Sequence, residues 1–330
     1  MKTILVAGGA GYIGSHMVAL LAEKGIDTVV VDNLCTGHKN AVKGARKTYI
    51  GDLRDTEFLN KVFDENDIDG VINFAAYSLV GESVTDPLKY YGNNLAGSQA
   101  MLTVMKEHNV KRIVFSSTAA TYGEPEKQPI EETDRTEPTN PYGASKLAIE
   151  GMLKWCDNAY GIRYAALRYF NAAGSNTDVE IGEDHSPESH LIPLVIKTAL
   201  GQRSHIGIFG DDYPTPDGTC VRDYIHVRDL AEAHLLALQY LEREDKSGIF
   251  NLGSGDGYSV KQIIDTARRI TGKEIPAKIE PRRAGDPSVL IASNKKAAEL
   301  LGWKPKRGLD EIVADAWSWH SNHPNGYEDK

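Results

Sequence analysis

Short apolar runs separated by longer mixed stretches dominate the first half of the chain. Thr3–Ala7, Thr28–Val31, Val71–Phe74 and Arg112–Ser116 are rich in β-branched and aromatic residues, the pattern of strands buried on both faces of a parallel sheet. Helical stretches fill the gaps between them, so the pattern predicts repeated βαβ units. Beyond Asn171 the texture changes to segments punctuated by Pro and Gly, such as Pro187–Pro193, Asp211–Gly218 and Gly253–Tyr258. The expectation is an α/β fold in two lobes: a doubly wound parallel sheet over 1–171 and a smaller, mixed α/β C-terminal lobe over 172–330 for substrate. Val221–Tyr240 and Ile249–Leu252 read as a further helix and strand, so 221–252 is expected to return to the sheet.

Composition narrows the classes of function. The 330 residues exceed one simple core, and 41% hydrophobic with 25% charged residues is ordinary for a globular protein. A net charge of −9 leaves no basic footprint for nucleic acid or an anionic membrane, and no apolar run reaches membrane-spanning length. A phosphate-bearing ligand must then be held locally. The three cysteines, Cys35, Cys156 and Cys220, lie far apart, which suggests neither a disulfide framework nor a thiolate metal site and fits a reducing cytoplasm. The ten histidines include no H-E-x-x-H pattern, and His320 and His323 sit in a polar tail, so no metal is expected.

The local phosphate site is supplied by Gly8-Gly9-Ala10-Gly11-Tyr12-Ile13-Gly14, which follows a strand and opens a helix. Gly8, Gly11 and Gly14 permit a tight turn and close approach of backbone to a pyrophosphate, and the helix N-terminus adds free N–H groups and partial positive charge. This is a Rossmann-type signature, and a glycine turn without ligand is its bland reading. Asp32 shifts the balance: at the end of the second strand its carboxylate can accept hydrogen bonds from ribose hydroxyls and would repel a 2′-phosphate. The pattern therefore favours NAD. Asp52 and Leu53 before the next helix, and Phe74, Ala75 and Ala76 at a strand's carboxyl edge, are placed to flank it, although Asp52 reads equally as an N-cap and the alanines as packing.

The candidate chemistry lies at Tyr142 and Lys146. Pro141 starts a helix there, and residues four apart share a helical face. A phenol of pKa near 10 is a poor base at neutral pH, but a neighbouring ammonium stabilises the phenolate, which predicts a lowered pKa and a general base for hydride transfer from a carbinol. Lys146 would also hold the nicotinamide ribose. Ser116 and Thr118 end the Arg112–Ser116 strand, where a hydroxyl can reach the same crevice, with Thr118 the better candidate for the reacting oxygen.

With these residues in hand, the chain resembles the extended short-chain dehydrogenase/reductase family over nearly its whole length, and within it the UDP-glucose 4-epimerases. The matching segments are Gly8–His16, Asp32-Asn33-Leu34, Phe74-Ala75-Ala76, Tyr90–Asn94, Ser116–Tyr122, Tyr142–Lys146, Leu167–Asn171, Ile208–His226 and Arg282–Asp286. The resemblance implies tightly bound NAD regenerated in each cycle, a transient 4-keto sugar that turns over, and Tyr142 as base and then acid. It adds Tyr12, Ile13, Asn33, Thr36, Gly37, Ser78, Asn94, Tyr169 and Phe170 as NAD contacts. It also implies that Asn171, His190, Leu191, Ile206, Gly207, Phe209, Arg222, Arg283, Asp286 and Leu290 face a UDP-sugar, the arginines meeting its diphosphate. Three positions depart from many members. Ser78 replaces a lysine near the cofactor phosphates, His190 replaces an asparagine before Leu191, and Leu290 replaces a bulky tyrosine, which opens room for an N-acetyl group. The apolar faces around Asn94–His108 and Tyr142–Tyr160 are those the family pairs in a homodimer, although burial within one chain explains the same pattern.

Two alternatives share the cofactor turn. A dehydratase or decarboxylase acting on a nucleotide sugar uses the same pair, but dehydratase relatives place Asp-Glu after the strand-end Thr, whereas Ala119-Ala120 follow Thr118 and cannot transfer protons. A non-catalytic NAD-sensing protein has no need of Tyr142, Lys146 and Thr118 together.

Overall fold

The computed structural model describes residues 2–283 and 287–328. Six strands lie in its first half: β1 (Thr3–Ala7), β2 (Asp27–Asp32), β3 (Lys47–Ile50), β4 (Gly70–Asn73), β5 (Arg112–Ser116) and β6 (Arg163–Arg168). A seventh, Gly248–Asn251, pairs with β6, giving a sheet in the order Gly248–Asn251, β6, β5, β4, β1, β2, β3 in which every pairing is parallel. Neighbouring chain directions diverge between β1 and β4, and a cleft opens at their carboxyl ends, where doubly wound sheets bind ligands.

Strand alternation explains why both faces need cover. Ile4 and Val6 of β1 join a core beneath helices Tyr12–Glu23 and Val227–Glu244, while Leu5 and Ala7 join a second core beneath helices Thr56–Asp64, Ala96–Glu107 and Pro141–Tyr160. All five residues of β1 are buried. Helix Val227–Glu244 lies against Tyr12–Glu23, so the chain comes back to the sheet after leaving it.

A third core joins helices Leu191–Ala199, Val260–Thr271 and Leu309–Asn322 to strands Ile206–Phe209 and Ala277–Glu280, which pair in parallel. Helix Val260–Thr271 begins with a capping box formed by Ser259 and Gln262 and stops at Gly272, whose φ of +64° suits glycine. Two short ladders connect the lobes: Asn171–Ala173 with Tyr224–His226, and Val221–Arg222 between Tyr258–Ser259 and Val289–Leu290. No described helix is long and apolar enough to cross a membrane.

Candidate active site

One cleft of about 950 Å³ runs from the glycine turn, across the ends of β1, β4 and β5, to the second lobe. The turn is shaped by close approach. A Cβ on Gly14 would lie 2.0 Å from the Gly8 carbonyl oxygen, and one on Gly8 would lie 2.7 Å from the Ala75 nitrogen; Gly8 has φ of +76° as well. At Gly11 a Cβ would meet only the Gly8 oxygen at 3.4 Å, so this residue borders the open cleft. Asp32 is buried at the cleft wall, where its Oδ2 accepts the Ala10 N–H at 2.9 Å and its Oδ1 the Leu34 N–H at 2.8 Å. Burial pushes its carboxyl pKa up and these N–H donors oppose the shift. The bare backbone of the turn and a carboxylate with remaining lone pairs fit a dinucleotide with free ribose hydroxyls.

Most of the other anticipated cofactor residues line this cleft: Tyr12, Ile13, Asn33, Thr36, Asp52, Leu53, Phe74, Ala75, Ala76, Ser78, Tyr169 and Phe170. Asp52 is no helix cap, because Asp55 accepts the Phe58 N–H at 2.9 Å and caps Thr56–Asp64. Instead Asp52 takes a two-pronged contact from Arg54, at 2.9 and 2.7 Å, which holds its pKa down at about 2. Two residues stand one layer back. A Cβ on Gly37 would sit 3.0 Å from Asp32 Oδ1, and buried Asn94 bridges the Tyr77 backbone, at 2.8 and 3.1 Å, to Ser145 Oγ at 3.2 Å.

The candidate catalytic side chains converge. Asn140 caps helix Pro141–Tyr160 by accepting the Gly143 N–H, and Pro141 fits its first turn, which points Tyr142 into the cleft beside Thr118. Thr118 Oγ1 accepts the Ala120 N–H at 3.1 Å, leaving its proton for the Tyr142 hydroxyl, to which it is hydrogen-bonded. Lys146 is buried one turn on. Its Nζ donates to the Ser116 carbonyl at 2.8 Å and lies 5.9 Å from the Tyr142 ring centre. Ser116 Oγ meets the Tyr169 hydroxyl at 2.6 Å.

The expected lowering of the Tyr142 pKa is not what the structure shows. Tyr142 sits deep enough that burial pushes its phenol up, with Thr118 opposing, while burial pushes Lys146 down to about 7 against the pull of Glu150. The charged form of each group loses water in this pocket, and the Lys146 ammonium is aimed at a carbonyl rather than at the phenol. Desolvation thus brings the lysine alone towards neutrality and leaves the phenol protonated there.

Asn171 and Arg222, where the two lobes meet, and His190, Arg283 and Leu290 of the second lobe also line the cleft. Leu191 and Ile206 instead pack in the third core; Gly207 and Phe209 occupy the alternate positions of the same strand as Ile206. The Arg283 guanidinium lies 3.9 Å from the Phe209 ring centre, so arginine covers one face of this ring. Asp223, beside Arg222, accepts the N–H groups of Ser254 and Ala292 at 2.7 and 3.0 Å and thereby ties three loops together. Asp286 lies outside the described residues.

The model of the NAD dependent epimerase/dehydratase family matches residues 4–253. The chain belongs to this family. A UDP-glucose 4-epimerase of Streptococcus mutans is 59% identical over 330 residues, covering 99% of each chain. A crystal structure of a UDP-glucose 4-epimerase superposes with a TM-score of 0.97 at 55% identity, covering 99% of this chain and 100% of that one. The UDP-glucose 4-epimerase of Bifidobacterium longum, solved with NAD+ and UDP, gives 0.92 at 42% identity with 99% and 100% covered. For a family member, three cleft features escaped the sequence reading. Tyr77 lines the cleft and Arg54 pairs with Asp52 there, both outside any recognised spacing, whereas Glu183, His185 and His190 at the cleft form with Glu188 an E-x-H-x-x-E-x-H pattern legible in the sequence.

Proposed function

We propose that the chain is an NAD-dependent epimerase that inverts C4 of a UDP-hexose, interconverting UDP-glucose and UDP-galactose, with Tyr142 as the proton-transfer group. The observation that carries this reading is the convergence of Tyr142, Thr118 and Lys146 in the cleft that begins at the glycine turn and Asp32. Bound NAD supplies a hydride acceptor that later returns the hydride. Tyr142 takes the C4 hydroxyl proton and returns it to the C4 oxygen after the keto sugar has turned and its carbon has received the hydride on the other face, so one side chain is base and then acid. Thr118 orients the phenol and the reacting oxygen. Lys146, held by the Ser116 carbonyl, would hold the ribose next to the nicotinamide.

The lobe division follows the same logic, with 1–171 and the returning 221–252 holding NAD and most of 172–330 holding the UDP-sugar. Arg222 and Arg283 supply positive charge at the second lobe's side of the cleft, where a diphosphate would lie. Asp32→Asn halves the acceptors offered to the ribose, and the expected result is NAD affinity weaker by roughly 10- to 100-fold, read as NAD released from purified protein. The deciding assay is a UDP-sugar panel without added NAD: formation of UDP-galactose from UDP-glucose supports the epimerase, and bound NAD with no UDP-sugar converted supports a sensor.

Leu290 extends the reading to N-acetylated sugars. It borders the cleft from strand Val289–Leu290 and packs near Tyr122 and Ile130. UDP-GlcNAc is expected to turn over, and Leu290→Tyr is expected to abolish that activity while sparing UDP-glucose. Failure to convert UDP-GlcNAc under conditions that saturate UDP-glucose turnover removes this part.

We also place the protein in a cytoplasmic galactose-handling role as a homodimer. Met101, Leu102, Val104 and Met105 of helix Ala96–Glu107 are buried within the chain, while Val84, Leu88 and Trp155 are 61%, 80% and 71% exposed on nearby helices. This apolar surface supports pairing through helix Pro141–Tyr160, and sizing in solution tests it.

A further inference from the structure

The segment between strand Asn171–Ala173 and helix Leu191–Ala199 gathers two carboxylates and two imidazoles at one wall of the cleft. One ligand atom from each of Glu183, His185, Glu188 and His190 lies within 4.8 Å of the others. His190 Nδ1 is 2.8 Å from Glu183 Oε1 and 3.1 Å from Glu188 Oε1; His185 Nδ1 is 3.1 Å from Glu183 Oε1 and 3.8 Å from Glu188 Oε2. Both glutamate side chains are 3% exposed. Glu188 Oε2 is buried with no hydrogen-bond partner, an unusual state for a carboxylate oxygen.

We propose that Glu183, His185, Glu188 and His190 form a binding site for one divalent cation of the zinc class. The distances suit it. Four ligands about 2.1 Å from a tetrahedral ion stand about 3.4 Å from one another; here the four ligand atoms lie within 4.8 Å, with nitrogen–oxygen contacts of 2.8 to 3.8 Å, so a small inward movement closes the site. Two imidazole nitrogens and two carboxylate oxygens are a donor set for borderline ions rather than for calcium or magnesium, and a 2+ charge neutralises two buried carboxylates. The orphaned Glu188 Oε2 gains a partner when the ion is bound.

The surroundings hold the ligands in place. Glu188 Oε1 accepts the N–H groups of Ser189 and His190 at 2.7 and 2.8 Å. The Glu183 carbonyl accepts Trp319 Nε1 at 3.0 Å from the C-terminal helix. His190 occupies the N-cap position of helix Leu191–Ala199, yet its side chain makes no cap hydrogen bond and turns to the carboxylates. By contrast, His323 stacks on Trp319 at 3.9 Å between ring centres, so its ring is committed to packing. The ion fastens a wall of the cleft: Glu183, His185 and His190 all border it, and His185 meets Tyr12 edge-on at 6.1 Å, at the start of the helix that follows the glycine turn. The proposal stands apart from the UDP-sugar reading, since metal uptake is measured without turnover.

The test uses the full chain, stripped with a chelator, dialysed and titrated with Zn2+ by calorimetry, then with Co2+ by visible absorption. One equivalent per chain, the intense bands of four-coordinate cobalt, and a melting temperature raised by several degrees are expected. His185→Gln, at a partly exposed position, and Glu188→Gln are expected to lose that uptake while circular dichroism stays unchanged. No saturable uptake by the parent chain, or uptake by both variants equal to the parent, overturns the site. Should either variant fail to fold, the parent cobalt spectrum decides: six-coordinate, water-like bands count against the proposal. The competing occupants are protons on the two imidazoles, and they give that negative result.

Discussion

Phenylalanine at position 142 lowers UDP-hexose turnover by about 10²- to 10⁴-fold while the chain stays folded and keeps its cofactor, the loss typical for removal of a proton-transfer group. The Tyr142 hydroxyl is hydrogen-bonded to Thr118 and its ring centre lies 5.9 Å from Lys146 Nζ, and Tyr142→Phe retains the ring. Only the hydroxyl disappears. The barrier then rises by about 3 to 5 kcal/mol, because each tenfold loss corresponds to about 1.4 kcal/mol. The loss falls on kcat rather than on substrate affinity, since the hydroxyl acts on a proton in flight and Arg222 and Arg283 are untouched. The check is a progress curve for UDP-galactose with the retained NAD measured after denaturation. Turnover within tenfold of the parent removes Tyr142 from the chemistry, whereas loss of NAD with loss of activity means that the substitution damaged the site and not the base.

The features readable from the sequence are those that a few neighbouring residues decide. Gly8 to Gly14 announces its turn because the close approaches fall within the motif or against the next strand end, and Tyr142 with Lys146 needs only the helical repeat. Strands Thr3–Ala7 and Arg112–Ser116 match the apolar runs residue for residue, and the β2 and β4 runs lie within a residue of their observed ends. β3 escaped because it is an edge strand, Lys47-Thr48-Tyr49-Ile50, half exposed and with no apolar run. β6 escaped for a different reason. Arg163 and Arg168 bracket it with charge, and the second is tolerated in the interior only because Glu150 arrives from another element. Glu183, His185, Glu188 and His190 lie close in sequence yet off any helical repeat, so their spacing is legible but their convergence comes from the folded loop. The Arg283 stack on Phe209 joins residues far apart in sequence through paired strands and left no local trace.

Glu150→Gln is expected to destabilise the chain by about 3 to 5 kcal/mol, the usual result of breaking a buried ion pair by removing one partner. Arg168 donates to both Glu150 oxygens, at 2.9 and 2.5 Å, and Ser117 Oγ donates to one of them at 2.5 Å; both charged side chains are 3% exposed. The amide keeps the volume but leaves the guanidinium, stacked 4.7 Å from the Tyr122 ring centre, without its counter-charge. At roughly 2 cal/mol/K per residue of unfolding entropy, this lowers the melting temperature by about 4 to 7 °C. Adding Arg168→Met is expected to restore much of it, because the remaining polar group is then neutral. Stability alone would make the pair a structural strut, but Glu150 is also the anion that raises the Lys146 pKa against burial. Without it the Lys146 value falls further below its ordinary range, since burial is then unopposed. The ammonium is lost as pH rises through that value, so the alkaline fall in turnover moves to lower pH in Glu150→Gln. A destabilised variant whose pH profile matches the parent would assign the pair to folding alone; a shifted profile ties the buried carboxylate of Glu150 to the protonation of the lysine beside Tyr142.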